Sequence, residues 1–433
     1  MNDCYQQNIT VIRQRWPVLA SQLDTMAEKA TELTLALAEG AESTLSVNGI
    51  QLTSRHNRAL EARQQAAQVL QQPVVTLYGT GLGDLQRELL SRQELQTLKV
   101  KILNESLFGL VLQLLDQRSW LSDPRVQLSL AGEDKELQPP YVLLPSELVL
   151  ASDFNQKIRQ RLCSELEVGN VSLRLAENTA PLLPRLQQNQ CYWQQDKQVQ
   201  QLFRTMSTGQ QAFVIAAGPS LEQHYGLLQQ CRTQPVPPLL ICVDTAVKAL
   251  LAHQIVPDIV VTVDYLISAR HLPVAELPAS CRLVYFPITS AEILADFPGE
   301  RYVAMNETQM FASLRDQLSA ARLFMHGSVI HPAVDLAVQM GAREVLLFGA
   351  DFAFSHQKTH ASWQDGEIGI PYQQASEWVM NAYGEKVPTL PNFMTYLIGL
   401  ERYIQRHPTI TFYNMSKAGA VIEGTHYHPE YCR

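Results

Sequence analysis

The sequence predicts an α/β protein built around a doubly wound, Rossmann-like parallel sheet. Short apolar segments rich in β-branched residues recur between residues 212 and 348, and segments with helical periodicity separate them. This is the pattern of parallel strands joined by crossover helices. With 433 residues, the chain also exceeds what a single hydrophobic core usually holds, so more than one domain is expected.

Composition and charge restrict the class of protein. Hydrophobic residues make up 46% of the chain and charged residues 18%, as in a globular protein with a large core. The net charge of −8 argues against nucleic acid as a partner. Seven widely spaced cysteines indicate buried free thiols in a reducing compartment. The chain starts without a secretory-signal pattern, and charges interrupt its most apolar stretch, so we expect a cytoplasmic protein without membrane insertion.

The N-terminal part of the chain predicts a smaller α/β domain preceded by helices. Residues from Asn8 to Leu70 have a helical composition, with an extended interruption near residues 45–52. An amphipathic helix then lies between a strand at Val74–Tyr78 and a second strand at Leu98–Leu103. This order is the beginning of a βαβ unit.

Glycines 79, 81 and 83 follow the first of these strands, and Glu105 follows the second. In nucleotide-binding βαβ units, such glycines let the backbone approach a ligand, and an acid after the second strand binds a ribose. Asp84 stands where the third glycine of that fingerprint is expected. We therefore favour glycines that only turn the strand into the helix, with a nucleotide or a methyl donor as alternative ligands.

The remaining elements divide the chain into three parts. Pro181 and Pro184 interrupt a helical segment that ends at Asp196, which favours a domain connection there. We predict an N-terminal α/β domain over residues 1–195, a central Rossmann-like domain over 196–370, and a mainly helical C-terminal region over 371–433 that packs on the central domain. The central strands are expected at Ala212–Ala217, Leu239–Val243, Ile259–Val263, Leu283–Phe286 and Glu344–Phe348.

The turn after the first central strand reads Gly218-Pro219-Ser220 and precedes a helical pattern. Glycine permits a tight turn, and Ser220 is suited to cap the helix. Free backbone N–H groups at a helix N-terminus favour an anion such as phosphate. A capped turn without a ligand is the alternative interpretation of these three residues.

Acids follow three of the central strands, at Asp244, Asp264 and Asp351. Because the carboxyl ends of parallel strands meet at one edge of a sheet, we expect the three acids to converge on one site. A helix cap is the alternative for Asp244. The chain contains none of the usual metal-ligand spacings and no Gly-x-x-x-x-Gly-Lys-Ser/Thr loop, so neither a metal site nor a P-loop kinase is predicted.

Histidines 326, 331, 356 and 360 flank the last central strand. Imidazole is the side chain best suited to proton transfer near neutral pH. His331 opens a helix beside Gly327 and Ser328, and His360 follows the loop after Asp351. These two histidines are the predicted base or leaving-group residues, with a purely structural role as the alternative.

Several motifs resemble those of the motility-associated factor (Maf) proteins, a family of flagellin glycosyltransferases with a sialyltransferase-like core. They occur in the family's order and cover roughly residues 203–425. The motifs read AAGPSLEQHYGLL, ICVDTAVKALLAHQIVPDIVVTVD, GSVIHPAVDLAVQMGAREVLLFGADFAFSHQKTHA, YGEKVPTLPNF and FYNMSKAGAVIEGT.

The resemblance implies an enzyme that moves a nonulosonic acid, of the pseudaminic or legionaminic type, from a CMP-sugar donor to Ser or Thr of flagellin. Such a reaction serves flagellar assembly and motility. Flagellin and the nucleotide sugar are the implied partners, and neither a cofactor nor a metal is required. The implied nucleotide-sugar site is in the central domain and comprises Gly218, Pro219, Ser220, Asp244, Thr245, Asp264, Asn306 and Ser328.

The catalytic candidates lie in the other motifs of the family. Asp351 or His360 would accept the proton of the acceptor hydroxyl, and His331 with Ser328 would assist the departure of the phosphate. On this hypothesis, replacing Asp351 or Ser220 by Ala abolishes flagellin glycosylation without unfolding the protein.

Two alternative functions stay open. The central motif also resembles that of hydroxymethylpterin diphosphokinases, which use ATP and magnesium, and the three strand-end acids would hold Mg²⁺ there. The other alternative is a flagellin-binding factor without catalysis, because a fold and part of a site do not establish turnover.

Overall fold

The structure is a computed structural model that describes residues 3–27, 33–177, 182–307, 311, 314 and 317–431. Its contacts divide the chain into two compact units, residues 1–163 and 164–433. The boundaries predicted from the sequence, at residues 195 and 370, differ from this division. The division falls inside one long helix, Gln156–Glu177, so the helical periodicity continues across it and the sequence pattern does not mark it.

The first unit combines helices with two kinds of sheet. Its helices are α1 (Asp3–Arg15), α2 (Pro17–Ala27), α3 (Arg58–Ala66), α4 (Asp84–Leu90), α5 (Glu105–Leu114), α6 (Arg118–Leu121) and α7 (Pro145–Val149). Its strands are β1 (Leu35–Ala38), β2 (Thr44–Val47), β3 (Ile50–Gln51), β4 (Val74–Tyr78), β5 (Thr97–Ile102), β6 (Val126–Leu130) and β7 (Tyr141–Leu143). Helix α8 (Gln156–Glu177) contains the boundary.

The second unit contains the larger sheet. Its helices are α9 (Leu183–Gln188), α10 (Gln190–Gln195), α11 (Tyr225–Arg232), α12 (Val247–Ala252), α13 (Ala291–Asp296), α14 (Ile330–Met340) and α15 (Pro391–Arg406). Its strands are β8 (Lys197–Gln198), β9 (Ala212–Ile215), β10 (Leu239–Val243), β11 (Ile259–Thr262), β12 (Arg282–Tyr285), β13 (Arg301–Val303), β14 (Glu344–Phe348), β15 (Glu377–Met380), β16 (Lys386–Thr389) and β17 (Thr411–Asn414).

The sheet of the second unit is parallel and doubly wound, as predicted. Its strands lie in the order β17-β14-β9-β10-β11-β12-β13-β8, and each hydrogen-bonded pair is parallel. From β9 the chain adds strands on one side as far as β13, and then crosses to β14 on the other side of β9. The gap between the carboxyl ends of β9 and β14 is therefore the switch point, where connections leave to opposite faces and open a crevice.

The parallel sheet of the first unit follows the same rule on a smaller scale. Its order is β6-β5-β4-β7, and its neighbouring strands are also parallel. The switch point lies between β4 and β7. The strands β1, β2 and β3 form a separate antiparallel sheet, and they account for the extended interruption expected near residues 45–52.

Burial on both faces explains why the central strands are apolar throughout. Every residue of β9, β10 and β11 is buried, as in parallel strands covered by helices on both sides. Cys231, Cys242 and Cys281 are buried free thiols. Within the described residues, no helix has the length and apolar character that crossing a membrane requires.

The C-terminal region is less helical than predicted. It contains α15, close to the expected Leu390–Gln405, but also the antiparallel pair β15 and β16. Strand β17 pairs in parallel with β14, with Thr411 opposite Glu344, so the end of the chain extends the central sheet. The sequence shows the strand, but its partner is decided only by the tertiary structure.

Gly349 provides a test of how tightly the switch point is packed. Its φ is +62°, and a Cβ atom would lie 2.4 Å from the carbonyl oxygen of Ala216. We expect Gly349→Ala to lower the free energy of unfolding by about 2 kcal/mol or more, because a strained backbone and an overpacked contact each cost roughly 1–3 kcal/mol. Denaturant unfolding of the full chain measures this change.

Gly226→Ala is the matched control for that measurement. Gly226 lies in α11, and a Cβ atom there would meet nothing within 4 Å. Alanine favours a helix over glycine, so this variant should be as stable as the wild type or slightly more stable. Equal stability of both variants would contradict the packing described at Gly349.

Candidate active site

A cavity of about 720 Å³ lies at the carboxyl ends of β9, β10, β11 and β14. Its walls are the turns after these strands, the segment that leads into α14, the loop after β14, and two aromatic residues of α15. The volume is within the range of about 300–1,000 Å³ that small-molecule sites occupy. Its position at the switch point is where doubly wound sheets bind ligands.

Two glycines let the turns after β9 and β14 approach each other. The N–H of Gly218 donates to the carbonyl of Gly349 at 2.8 Å. A Cβ atom on Gly218 would lie 2.4 Å from that same carbonyl and 2.8 Å from Oδ2 of Asp351. Both positions therefore require glycine, and both line the cavity.

Asp351 joins the two turns. Its carboxylate accepts hydrogen bonds from the N–H of Ser220 at 2.7 Å, from the hydroxyl of Ser220, and from the hydroxyl of Ser355 at 2.8 Å. All three residues are buried. Asp351 does line the cavity, but these bonds make it the anchor of the switch point.

These contacts correct two expectations about the turn Gly218-Pro219-Ser220. Ser220 does not cap an α-helix, because α11 begins only at Tyr225 and Ser220 lies in a 3-10 turn. The N–H groups of Gly218 and Ser220 are bonded to Gly349 and Asp351, and proline has none, so this tripeptide does not offer free donors to a phosphate. A bound anion would need donors from elsewhere in the cavity wall.

Asp244 is a buried carboxyl group in the cavity wall. It is 2% exposed, and its oxygens accept from the hydroxyl of Thr262 and from the N–H of Thr245, both at 2.8 Å. Burial raises the pKa of Asp244 to about 6, and the nearby charge of Asp264 adds to this, whereas the two hydrogen bonds oppose it. Asp244 can therefore exchange a proton near neutral pH.

Three other predicted residues lie in the same cavity wall. Thr245, Asp264 and Ser328 line it together with Asp244, Asp351 and His360. The side chain of Asp264 is exposed and accepts from the N–H of Leu266 at 2.8 Å. The structure thus brings the three strand-end acids to one site, as parallel strand ends require.

His360 has a defined proton position. Its Nδ1 lies 2.8 Å from the hydroxyl of Thr359, and that hydroxyl donates to the carbonyl of Ile368 at 3.0 Å. Because the hydroxyl hydrogen is directed to Ile368, we assign the imidazole proton to Nδ1, which leaves the lone pair on Nε2. Burial lowers the pKa of His360 to about 4, although the carbonyl of Ile368 acts in the opposite direction. The ring is therefore neutral at neutral pH.

His331, Asn306, Pro219 and Ser220 are not in the cavity wall. His331 is fully buried, and its ring nitrogens lie 2.9 Å from the carbonyls of Ser328 and Tyr396. Burial lowers the pKa of His331 to about 4, against the opposing effect of those carbonyls. This placement favours a structural role for His331, which ties the start of α14 to α15. Asn306 is buried in the segment after β13.

The structure adds residues that were not singled out in the sequence. Tyr396 and Phe393 reach the cavity from α15, and His271, Tyr265 and Thr359 line it from loops. A Cβ atom on Gly327, which has a φ of +87°, would lie 2.6 Å from the ring of Tyr396. The motif YGEKVPTLPNF ends at Phe393 itself, three residues before Tyr396, but no spacing rule links α15 to the strand ends.

The cavity wall carries three acids but no permanently cationic side chain among the residues that the structure describes. Its basic groups there are the imidazoles of His271 and His360. Two cations of the segments that follow β10 and β11 make contacts of their own: Nζ of Lys248, in α12, lies 3.9 Å from the ring centre of Trp363, and Arg270 pairs with Glu367 at 2.6 Å. The described residues also contain no group of three or more His, Cys, Asp or Glu side chains arranged to hold a metal ion.

One family of known proteins matches part of the chain. The sequence model of the family described as "6-hydroxymethylpterin diphosphokinase MptE-like" matches residues 185–357. This range includes β9 to β14 and the turns that form most of the cavity, but it covers less than half of the chain. A comparison with curated proteins found no significant match.

Some solved structures show a limited likeness to this chain. A Maf glycosyltransferase from Magnetospirillum magneticum is 15% identical, with a TM-score of 0.44 over 99% of this chain and 74% of that chain. Two spermidine synthase structures, one in complex with the transition state analogue AdoDATO and one from Thermotoga maritima, are each 15% identical with a TM-score of 0.22. They cover 26% and 28% of this chain and 43% and 48% of their own. At these scores the likeness carries no conclusion about function.

Asp244 should make stability depend on pH. The folded protein holds its proton up to about pH 6, whereas the unfolded chain releases it near 3.8. Ionised, buried Asp244 therefore opposes folding above pH 6, by roughly 3 kcal/mol. We expect Asp244→Asn to be more stable than the wild type at pH 8, and the difference to shrink as the pH falls and to vanish below about pH 4. Urea unfolding across this range measures it, and a difference independent of pH would contradict the assignment.

Asp351 should be required for stability, contrary to the expectation that its replacement leaves the fold intact. In Asp351→Asn an amide N–H₂ group replaces one of the two oxygens that accept from Ser220 and Ser355, and the negative charge is lost. We therefore expect the free energy of unfolding to fall by roughly 2–4 kcal/mol. Ser355→Ala removes only one of the donors and should cost roughly 0.5–1.5 kcal/mol. Denaturant unfolding of both variants compares them, and an Asp351→Asn variant as stable as the wild type would refute the anchoring role.

Proposed function

We propose that this protein is a glycosyltransferase that moves a nonulosonic acid, of the pseudaminic or legionaminic type, from a CMP-sugar to Ser or Thr hydroxyls of flagellin. The observation that carries the proposal is the cavity at the switch point, where His360 offers an unprotonated Nε2 beside acids and aromatic side chains. The resemblance of the motifs around this cavity to the Maf family supports the choice of donor and acceptor.

The charge of the cavity wall favours a weakly charged donor. Asp244, Asp264 and Asp351 line the cavity, and the described residues that line it with them include neither Lys nor Arg. ATP has about four negative charges at neutral pH and would be repelled unless cations accompanied it. A CMP-nonulosonate has only the charge of one phosphodiester and one carboxylate. The aromatic residues Phe393 and Tyr396 suit the flat face of a base or the apolar face of a sugar.

The proposed transfer breaks the bond between the anomeric carbon of the sugar and the phosphate oxygen of CMP. The acceptor hydroxyl oxygen forms the new bond to that carbon, its proton moves to Nε2 of His360, and CMP departs with the bonding electron pair. Thr359 holds the ring of His360 through Nδ1. Asp244 and Asp264 would stabilise positive charge that develops on the sugar ring.

His360 and His356 give a matched pair of variants. His356 lies on the same segment but is exposed, and it contacts Gln223 at 3.0 Å. We expect His360→Ala to lower the rate of transfer by roughly 10²- to 10⁴-fold, the usual contribution of a general base, and His356→Ala to leave it unchanged. The assay follows CMP release and the increase in mass of unmodified flagellin incubated with CMP-nonulosonate.

The same assay separates the proposed function from its alternatives. Because the family model described as a 6-hydroxymethylpterin diphosphokinase covers most of the cavity turns, ATP with magnesium and a hydroxymethylpterin are tested in parallel. AMP formation would establish the diphosphokinase and refute the transferase. Flagellin binding without CMP release, AMP or a mass change would support a binding factor without catalysis.

A further inference from the structure

The glycine-rich turn after β4 in the first unit has the shape of an anion-binding loop. Gly79, Gly81 and Gly83 all have positive φ angles, of 104°, 51° and 90°. The turn lies at the switch point between β4 and β7 and leads directly into α4. Loops of this kind direct backbone N–H groups towards a single point, where anionic ligands bind.

The chain's own Glu147 occupies that point. Its Oε1 accepts from the N–H of Thr80 at 2.8 Å, from the hydroxyl of Thr80 at 3.3 Å, and from the N–H of Gly81. Glu147 lies in α7, directly after β7, and its side chain is completely buried. One carboxylate oxygen thus binds three donors of the turn, as a phosphate oxygen would.

The other carboxylate oxygen of Glu147 has no partner, so the turn supplies the hydrogen bonds that this carboxyl group accepts. Oε2 is buried and has no hydrogen-bond partner. In the part of the chain that the structure describes, no basic side chain forms an ion pair with Glu147. Burial raises the pKa of Glu147, against the opposing hydrogen bonds from Gly81 and Thr80. The turn is therefore what holds this carboxyl group in the interior.

The other residue of the alternative nucleotide site, Glu105, is also engaged by the protein itself. Glu105, the acid after β5, is 8% exposed and accepts from the side chain of Asn155 at 2.6 Å. The space beside the turn, next to Gly81 and Asp84, is about 10 Å³, about enough for one water molecule. A Cβ atom on Gly79 would lie 3.0 Å from the side chain of Leu144, so the turn is packed directly against the segment that carries Glu147.

We propose that the turn at residues 79–83 is an oxyanion site whose permanent ligand is the side chain of Glu147. The first unit consequently binds no nucleotide or methyl donor at this turn, and its glycines serve to hold an internal carboxylate. Removing that carboxylate uncovers a site for a small free carboxylate. This inference does not rest on the function proposed for the second unit.

Chemical rescue with formate tests the proposal in the full-length protein. We expect Glu147→Ala to melt several degrees below the wild type, and formate to raise its melting temperature in a saturable manner, since formate restores the lost acceptor. Chloride at equal ionic strength should not do so, and the wild type should respond equally to both salts. Failure of formate to stabilise the folded variant more than chloride does would overturn the proposal.

Glu105→Ala is the matched control, because it also deletes a buried carboxylate, but the Nδ2 group of Asn155 that donated to it keeps the Leu103 carbonyl and the Ser152 hydroxyl as acceptors. Formate should not rescue it. Equal rescue of both variants would mean that formate fills any buried deletion, and would contradict a specific site at the turn.

Hydrogen exchange of the wild type keeps the test decisive if Glu147→Ala does not fold. The N–H groups of Thr80 and Gly81 lie in a turn, where only Glu147 protects them, so they should exchange as slowly as the strand amides of β4. In Glu147→Gln the amide oxygen takes the position of Oε1, which alone accepts from these donors, so the same two amides should remain protected. Fast exchange of both amides in the wild type would overturn the proposal by itself.

Discussion

A buried carboxylate that ties together two loops at a switch point is the interaction on which each parallel sheet depends. In the second unit Asp351 accepts from Ser220 across the gap between β14 and β9. In the first unit Glu147 accepts from Thr80 and Gly81 across the gap between β7 and β4. Turn amides at strand ends have no partner in the sheet, and burying them unpaired costs roughly 1–3 kcal/mol each. An acid from the neighbouring strand end supplies that partner.

The same interaction has opposite consequences in the two units, because of the size of the surrounding side chains. Around Asp351 the turns consist of small residues, among them Ala217, Gly218 and Ala350, and a cavity of about 720 Å³ stays open beside them. Around Glu147 the larger Leu144 packs against the glycine turn, and the carboxylate itself takes the ligand's place. The turns around Asp351 therefore border an open cavity, whereas the side chain of Glu147 fills the space beside the glycine turn.

In the open cavity, burial determines the pKa values of Asp244 and His360 more than the type of side chain does. Burial raises the pKa of Asp244 to about 6 and lowers that of His360 to about 4, so an acid and an imidazole exchange their usual order. The bond from His360 to Thr359 then decides which ring nitrogen carries the proton. His331, with the same side chain, is not among the cavity residues, and its ring nitrogens lie 2.9 Å from the backbone carbonyls of Ser328 and Tyr396.

The sequence by itself determined the parallel sheet and the meeting of its acids at one edge. Strand periodicity and the residues at strand ends are local properties, and they locate Asp244, Asp264 and Asp351 without any coordinates. Only the tertiary structure decided which of these groups already form hydrogen bonds with the rest of the protein. Whether Asp351 is a base or an anchor depends on Ser220, 131 positions away in the chain, and whether Gly79–Gly83 binds a ligand depends on Glu147, 66 or 67 positions from its bonded amides. Hydrogen bonds over such separations form only when the strands are ordered in the sheet, so no local pattern records them.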